Sequence, residues 1–425
     1  MKIALLSASL VAFTLAPSAN AAWQRLGSIE KRPIDGATSS LSGTKIVASK
    51  GIGQPENLLS DDVALSSKVN PGVSDTTIGL GRQIVVELVS LINDGAEGRI
   101  AVEGSLDNHK WTPVSQSVFT AADRTILLRF AGANASYVRI QFDLSKGGGV
   151  KSASIYGSDT DQDFKVTEAA PGQPSQSINV AGGLGGGRVI YINPSPVGGD
   201  ETVLKYGRYE FPESPDKFRT VIYDFGKART LTEIGSVHSP RPVRFYAYAF
   251  EGELPEKEDW RGRRSFDPAV FDDIKPVATV EDLQGVGYVK AKLNQSVKAR
   301  YVALRWEPDF NPPSFVVSGV NISASGLNVT PNNPNGTGGG AGAGNGSGSG
   351  NEDGTASNTG DGNTGSGDGA QGSGAMNGAF NNPFALGTGG YGSPGRAGGS
   401  TGNATGAGGG TGTGGGNPNE TNVSP

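Results

Sequence analysis

The pattern of hydrophobic and polar residues divides much of the chain into short strands. From Lys45 to Gly157, runs rich in Val, Ile and aromatic residues are separated by Gly, Asp, Asn and Pro. The runs of strand length are Arg82–Leu91, Arg99–Glu103, Thr125–Phe130 and Tyr137–Phe142. Turn signals recur roughly every 8–12 residues, and no segment keeps a helical period for three turns, so the pattern predicts an antiparallel β-sandwich over 45–157.

A second region, 188–326, repeats this pattern in the same order. Thr220–Lys227 corresponds to the run at Arg82, and Ala299–Trp306 corresponds to the run at Tyr137. Arg244–Phe250 corresponds to Arg99, with an insertion before Trp260. The repeat predicts an all-β protein of two jelly-roll sandwiches, the second divergent. Large aromatic side chains at corresponding places are expected in the two cores, namely Trp111, Trp260, Tyr137, Tyr301 and Trp306.

Two other segments have compositions that do not favour a core. Residues 158–187 are rich in polar residues, Pro and Gly, and are predicted to be a linker. Residues 331–425 hold 34 of the 67 glycines, which predicts a disordered tail. One island, Phe380–Leu386, is either a chance apolar spot or a docking peptide. The tail is therefore expected to act as a spacer or tether.

The first 21 residues predict export. Lys2 is followed by an apolar run from Ile3 to Leu15 and by the cleavage pattern Ala19-Asn20-Ala21. The apolar run is shorter than the roughly 20 residues of a membrane-spanning helix. The chain has no cysteine, which is compatible with export at this size because the core does not need disulfides. An extracytoplasmic location (periplasm, cell surface or secreted), in a bacterium, is expected.

Three motifs in the first region resemble the discoidin, or coagulation-factor type C, family of galactose-binding-like domains. Pro55–Asp62 resembles the family's Asn-x-x-x-Asp turn, and Gly104–Trp111 resembles its Ser-x-Asp-x-x-x-Trp hairpin. Tyr137–Ile140 matches its Arg-Tyr-Val-Arg strand except that Ser136 replaces the first Arg. The resemblance implies a jelly-roll fold and a non-enzymatic role in binding glycans, lipid head groups or proteins through loops at one end of the sandwich.

The same resemblance implies a structural calcium site in which Asp61 is a ligand. The family's last strand often supplies a Glu, but Ser154 stands at that position. The matching stretch also lacks the aromatic residue that sugar-binding members place after the Asp. Calcium is therefore a minor expectation, and no other cofactor is expected.

Composition and motifs exclude several classes of function. The formal net charge of −5 and the absence of a basic stripe argue against nucleic-acid binding. The two histidines, His109 and His238, stand in no recognisable catalytic motif. A pair of carboxylates suited to glycoside hydrolysis is not excluded, because such a pair needs only the right spacing. A non-enzyme is expected.

The insertion at 251–273 is the candidate binding loop. Acidic residues precede Arg261, Arg263 and Arg264, and Phe266 and Phe271 follow. Aromatic faces can stack on sugar rings, and guanidinium groups bind carboxylate or sulfate. The alternative is a hydrated charged loop whose two Phe side chains cover the edge of the sandwich. The expected partner is a glycan or cell-surface polymer, or alternatively an envelope protein held by a structural component with a flexible tail.

Overall fold

The computed structural model of the protein describes residues 23–41, 43–198, 203, 205–258, 260–262 and 264–332. Strands dominate this part of the chain, and they pair antiparallel, so the predicted all-β sandwich architecture is confirmed. The predicted signal peptide and the predicted tail beyond residue 332 lie outside the described residues, as does the Phe380–Leu386 island. The described part contains no helix long and apolar enough to span a membrane.

The first sandwich is a nine-stranded sheet folded over one apolar core. Its strands are β2 (Pro33–Asp35), β3 (Lys45–Lys50), β4 (Ile52–Gly53), β5 (Ser67–Val69), β6 (Gly72–Asp94), β7 (Glu97–Ser105), β8 (Thr112–Phe119), β9 (Thr125–Lys146) and β10 (Gly148–Thr160). The central order is β4-β5-β10-β6-β9-β7-β8, with β2 paired to β10 and β3 paired to β6. One turn of 3-10 helix, Pro55–Leu59, buries Leu58 and Leu59.

The second sandwich is a ten-stranded sheet. Its strands are β1 (Gln24–Arg25), β11 (Phe164–Glu168), β12 (Gln176–Asn179), β13 (Arg188–Asn193), β14 (Tyr209–Pro212), β15 (Arg219–His238), β16 (Val243–Phe250), β19 (Ala278–Asp282), β20 (Tyr288–Pro308) and β21 (Ser314–Pro331). A separate hairpin joins β17 (Glu256–Glu258) to β18 (Arg264–Phe266), and a short helix, α1 (Val270–Asp273), follows it.

The pairing order of the first sandwich recurs in the second. The series β10-β6-β9-β7-β8 corresponds to β21-β15-β20-β16-β19. In both sandwiches a long central strand changes register at a glycine, between Gly79 and Ile84 in β6 and between Asp224 and Arg229 in β15. Gly81 and Gly226 have φ values of 70° and 73° at these points. Such values strain other residues, and the bulges bend each strand so that it serves both layers.

Two strands within the predicted linker belong to the second sandwich. The predicted linker over 158–187 contains β11 and β12, which both pair with β21. Ile178 and Val180 in this segment are buried in the second core. The linker prediction is corrected here because pairing with β21 and burial of these side chains supply the stabilisation that the local composition lacks.

The N-terminal segment ties the two sandwiches together. β1 pairs with β13 of the second sheet, whereas β2 pairs with β10 of the first. Leu26 and Ile34 pack into the second core. All the described residues accordingly fall within one compact unit.

Further contacts join the sandwiches side by side. Lys290 Nζ lies 2.5 Å from Asp62 Oδ2 and 3.2 Å from Glu233 Oε2. Arg124 Nη2 donates to the carbonyl of Gly287 at 3.0 Å, and Thr125 donates to Ser318 Oγ at 2.9 Å. These polar contacts hold the two sheets together, and Ser318 also lines a cleft between them.

Candidate functional site

The insertion of the second sandwich folds back on the outer face of its sheet. Phe266 and Phe271 are 3% and 7% exposed and pack with Tyr191 and Tyr248. The ring of Trp23 lies 4.7 Å from that of Phe266. The expected role of Phe266 and Phe271 as sugar-stacking surfaces is therefore wrong, because both rings are buried. They instead fix the hairpin to the sheet, as the alternative interpretation of this loop held.

The tip of this hairpin carries an aromatic side chain that the sequence placed in the core. Trp260 is 83% exposed, whereas Trp306, its predicted companion in the core, is fully buried. The guanidinium of Arg261 lies over the Trp260 indole, 4.3 Å from the ring centroid. The expectation of core packing is thus corrected for Trp260, because the insertion carries it to a turn beyond the last paired residues Glu258 and Arg264.

The charges of the hairpin compensate one another. Arg264 faces Glu256 at 3.7 Å and Glu258 at 3.8 Å. Lys257 pairs with Asp267 at 2.7 Å. Arg263 lies outside the described residues. Within the described part of the hairpin, the pairing leaves no cationic patch, and the tip presents an amphipathic indole with a guanidinium beside it.

The corresponding hairpin of the first sandwich has no exposed Trp. Trp111 is half-buried under the guanidinium of Arg139, 4.3 Å from its ring centroid. Asp107 Oδ1 accepts the backbone N–H groups of His109 and Lys110, both at 2.8 Å. These hydrogen bonds lower the pKa of the Asp107 carboxyl to about 2. Asp107 therefore shapes the turn, and only the second sandwich extends an aromatic platform.

Asp61, the predicted calcium ligand, lies at the cleft between the sandwiches. Burial raises the pKa of the Asp61 carboxyl to about 7, and the like charge of Asp35 adds to this effect. Asp35 Oδ1 already accepts the N–H groups of Ala37 and Ile155. Calcium takes six to eight oxygen ligands. Among the described residues no group of three or more His, Asp or Glu is placed to hold a metal, and calcium binding at Asp61 stays a prediction.

Neither a family model nor a curated protein matches this chain. Solved structures do resemble parts of it. CBM32-3 from a family 31 glycoside hydrolase of Clostridium perfringens is 18% identical with a TM-score of 0.26, and the match covers 30% of this chain and 95% of that one. The C-terminal domain of a chitobiase from Bacteroides fragilis is 14% identical with a TM-score of 0.26, and the match covers 28% of this chain and 96% of that one.

One similar structure extends over both sandwiches. The allantoicase of Saccharomyces cerevisiae is 12% identical with a TM-score of 0.27, and the match covers 69% of this chain and 94% of that one. At these identities and TM-scores, the similarities say nothing about what this chain binds. Its own residues carry the functional conclusion.

Proposed function

We propose that the protein is an exported, non-catalytic glycan-binding protein whose main contact is the hairpin tip at Trp260. The observation that carries this proposal is the 83% exposure of the Trp260 side chain on an anchored hairpin. Aromatic rings present a negative face, and the C–H groups of a sugar ring pack against such a face. An exposed indole at a loop of a rigid sandwich is suited to this contact.

The way in which the hairpin is anchored to the sheet supports the proposal. The buried Phe266 and Phe271 hold its base, and the Tyr191 hydroxyl donates to Glu256 Oε1 at 2.6 Å. The tip is thus positioned before a ligand arrives, which lowers the entropy lost on binding. Arg261, beside the indole, supplies guanidinium N–H groups for sugar hydroxyls or for a charged substituent. Arg264 is engaged by two glutamates, so binding here is proposed to depend on stacking more than on charge.

The non-catalytic part of the proposal is supported by the two histidines. His238 is fully buried, and burial lowers its pKa to about 4. A general base must reach the proton that it removes, and this ring cannot reach a substrate. His109 is exposed in a turn of the first sandwich, and the neighbouring carboxylate that could orient its ring, Asp107, is already held by two backbone N–H groups.

Retention on insoluble polysaccharides, followed by a glycan array, tests the proposal. Wild type should be retained by at least one glycan, and Trp260→Ala should reduce the affinity at least tenfold. Phe310→Ala is the matched control, since Phe310 is also an exposed aromatic (67%) but lies away from the hairpin. Equal retention of Trp260→Ala and wild type would place binding elsewhere. Co-purification with one envelope protein, without retention on any glycan, would favour the structural alternative.

A further inference from the structure

The cleft between the sandwiches is a second candidate site, separate from the hairpin. It encloses a cavity of about 130 Å³, roughly four water volumes. One wall is the face of the first sheet turned away from its own core. On this face, Tyr156 of β10, Leu88 of β6 and Arg129 of β9 lie side by side across the three strands. The next row consists of Ser154, Ser90 and Leu127. The cleft is therefore built from regular, rigid strands rather than from loops alone.

The second sandwich supplies the opposite wall. Asn179 and the glycine-rich turn at Gly182 and Gly183 come from the segment that the sequence assigned to a linker. Tyr206 and Arg208 come from the chain just before β14. Neither sandwich alone has this cavity, and its shape depends on both.

Two guanidinium groups in this cleft, one buried and one half-buried, have nitrogen atoms without a hydrogen-bond partner. Arg32 is 5% exposed, and its Nε and Nη1 atoms have no hydrogen-bond partner. Its Nη2 reaches only the carbonyl of Ala181, at 3.5 Å. The Nε atom of Arg208 is likewise buried without a partner. A buried polar atom without a partner is costly, so these nitrogen atoms are candidates to receive a ligand oxygen.

The carboxyl groups of the cleft do not fill this role. Asp35 Oδ1 is held by two backbone N–H groups, and Asp61 has no hydrogen bond within the described chain. Burial raises the pKa of Asp35 to about 6 and that of Asp61 to about 7. The pair therefore carries less than its full negative charge near neutral pH. Arg32, Arg129 and Arg208 carry more positive charge than this pair of carboxyl groups carries negative charge, so the cleft is cationic.

An aromatic wall lies beside these charges. The rings of Tyr156 and Tyr206 meet edge to face with centroids 5.1 Å apart. The guanidinium of Arg129 lies 5.3 Å from the Tyr206 centroid at the exposed side of the cleft. A sugar ring can pack its C–H face on this wall, with the hydroxyl groups of Ser152 and Ser154 beside it and Asn179 on the opposite wall.

We propose that this cleft binds the carboxylate-bearing ring of an acidic sugar. The guanidinium groups of Arg32 and Arg208 hold the carboxylate, and Tyr156 and Tyr206 cover the ring. Guanidinium forks match the geometry of a carboxylate and give strong, directional hydrogen bonds. The cavity is smaller than a whole hexuronate, so it takes the carboxylate end of one ring while the rest of the ring lies at the open side near Arg129. The ring is either a free sugar acid or the end of an acidic chain.

Calorimetric titration of the full chain tests this proposal. The ligands are glucuronate, galacturonate, a uronic-acid trisaccharide, glucose, acetate and inorganic phosphate. At least one uronate should bind at least tenfold more tightly than glucose and than acetate or phosphate. Binding should weaken with added salt, because the contact is between charges. Tighter binding of the trisaccharide than of the single ring would identify a chain end as the source, and equal binding would identify a free sugar acid.

Variants separate this site from the hairpin. Arg208→Gln should weaken uronate binding at least tenfold, and Tyr206→Ala should weaken it too. Arg244→Gln is the matched control, because Arg244 is an exposed residue of β16 that pairs with Glu281. This variant should bind uronate normally. Trp260→Ala should leave uronate binding unchanged even if it abolishes polysaccharide retention. Equal binding of glucose and glucuronate, or unchanged binding by a folded Arg208→Gln, would overturn the proposal. If phosphate or acetate bound as tightly as uronate, the cleft would be a general anion site. That result would also overturn the proposal.

Discussion

The hairpin and the cleft are opposite kinds of site in one molecule. The hairpin is contiguous in sequence, and its charged side chains pair with near neighbours, as Arg264 does with Glu256 and Glu258. The cleft collects residues as far apart as Arg32 and Arg208, and each has guanidinium nitrogen atoms without a hydrogen-bond partner. Charges close together along a chain tend to neutralise one another. An excess of one sign is found where the fold brings distant residues together.

The two regions also reverse the usual distribution of side chains. The hairpin exposes a large aromatic, Trp260, whereas the cleft buries a cation, Arg32. Either arrangement is unfavourable on its own, and such departures are expected at functional sites. They also predict different ligands: a ring that stacks on the hairpin, and an anion that enters the cleft.

The largest expected effect tests whether buried aromatics hold the hairpin. Phe266→Ala removes a ring that is packed against Trp23, Tyr191 and Phe271. The free energy of unfolding should fall by about 3–5 kcal/mol, measured by denaturant titration. Glycan retention should be lost although Trp260 is unchanged. Trp260→Ala is the control and should change stability by less than about 0.5 kcal/mol. If Phe266→Ala kept both stability and retention, the hairpin would not depend on this anchor.

The next effect concerns the stability of the cleft. The pKa of Asp61 in the folded chain, about 7, lies above the ordinary aspartate value. The folded state thus holds this proton more tightly than the unfolded state, so this group's contribution to stability falls as pH rises towards 7. Asp61→Asn should raise the melting temperature at pH 8 by on the order of 3 °C and change it little at pH 4. A variant that is destabilised equally at both pH values would show that Asp61 is charged and paired in the fold.

The smallest expected effect is the pH dependence of uronate binding. As pH rises from 5.5 to 8, Asp61 loses its proton and places a negative charge beside the bound carboxylate. The affinity should fall a few-fold over this range, and Asp61→Asn should flatten the profile. The charged and titratable groups that line the cleft with Asp61 are Arg32, Asp35, Arg129, Tyr156, Lys205, Tyr206, Arg208 and Tyr223. Binding that strengthens with pH would contradict the assignment.

The sequence predicted the strands and the repeat because alternation between apolar and polar residues is a local signal. Arg82–Leu91 and Thr220–Lys227 both fall in long central strands. The strands β11 and β12 escaped prediction because each has only four or five residues and depends on pairing with the distant β21.

The candidate sites were predicted less completely for the same reason. The sequence identified the 251–273 insertion as the candidate binding loop, but it placed Trp260 in the core and Phe266 at the surface. In the structure Trp260 is exposed and Phe266 is buried. Which side of an inserted hairpin meets the sheet depends on the surface beneath it, which is not local information. The other residues of the cleft gave no signal at all, because Arg32, Tyr156 and Arg208 converge only in the folded chain.

One NMR titration tests most directly the claim that the two regions bind different ligands. The indole N–H signals of the four Trp residues, together with backbone amides of the cleft, are followed while a retained neutral glycan or glucuronate is added. The neutral glycan should shift the Trp260 indole signal and leave the amides of Tyr156 and Gly182 unchanged. Glucuronate should shift those amides and leave the Trp260 indole in place. If both ligands shift the same signals, or if glucuronate moves only Trp260, the division into two sites is contradicted.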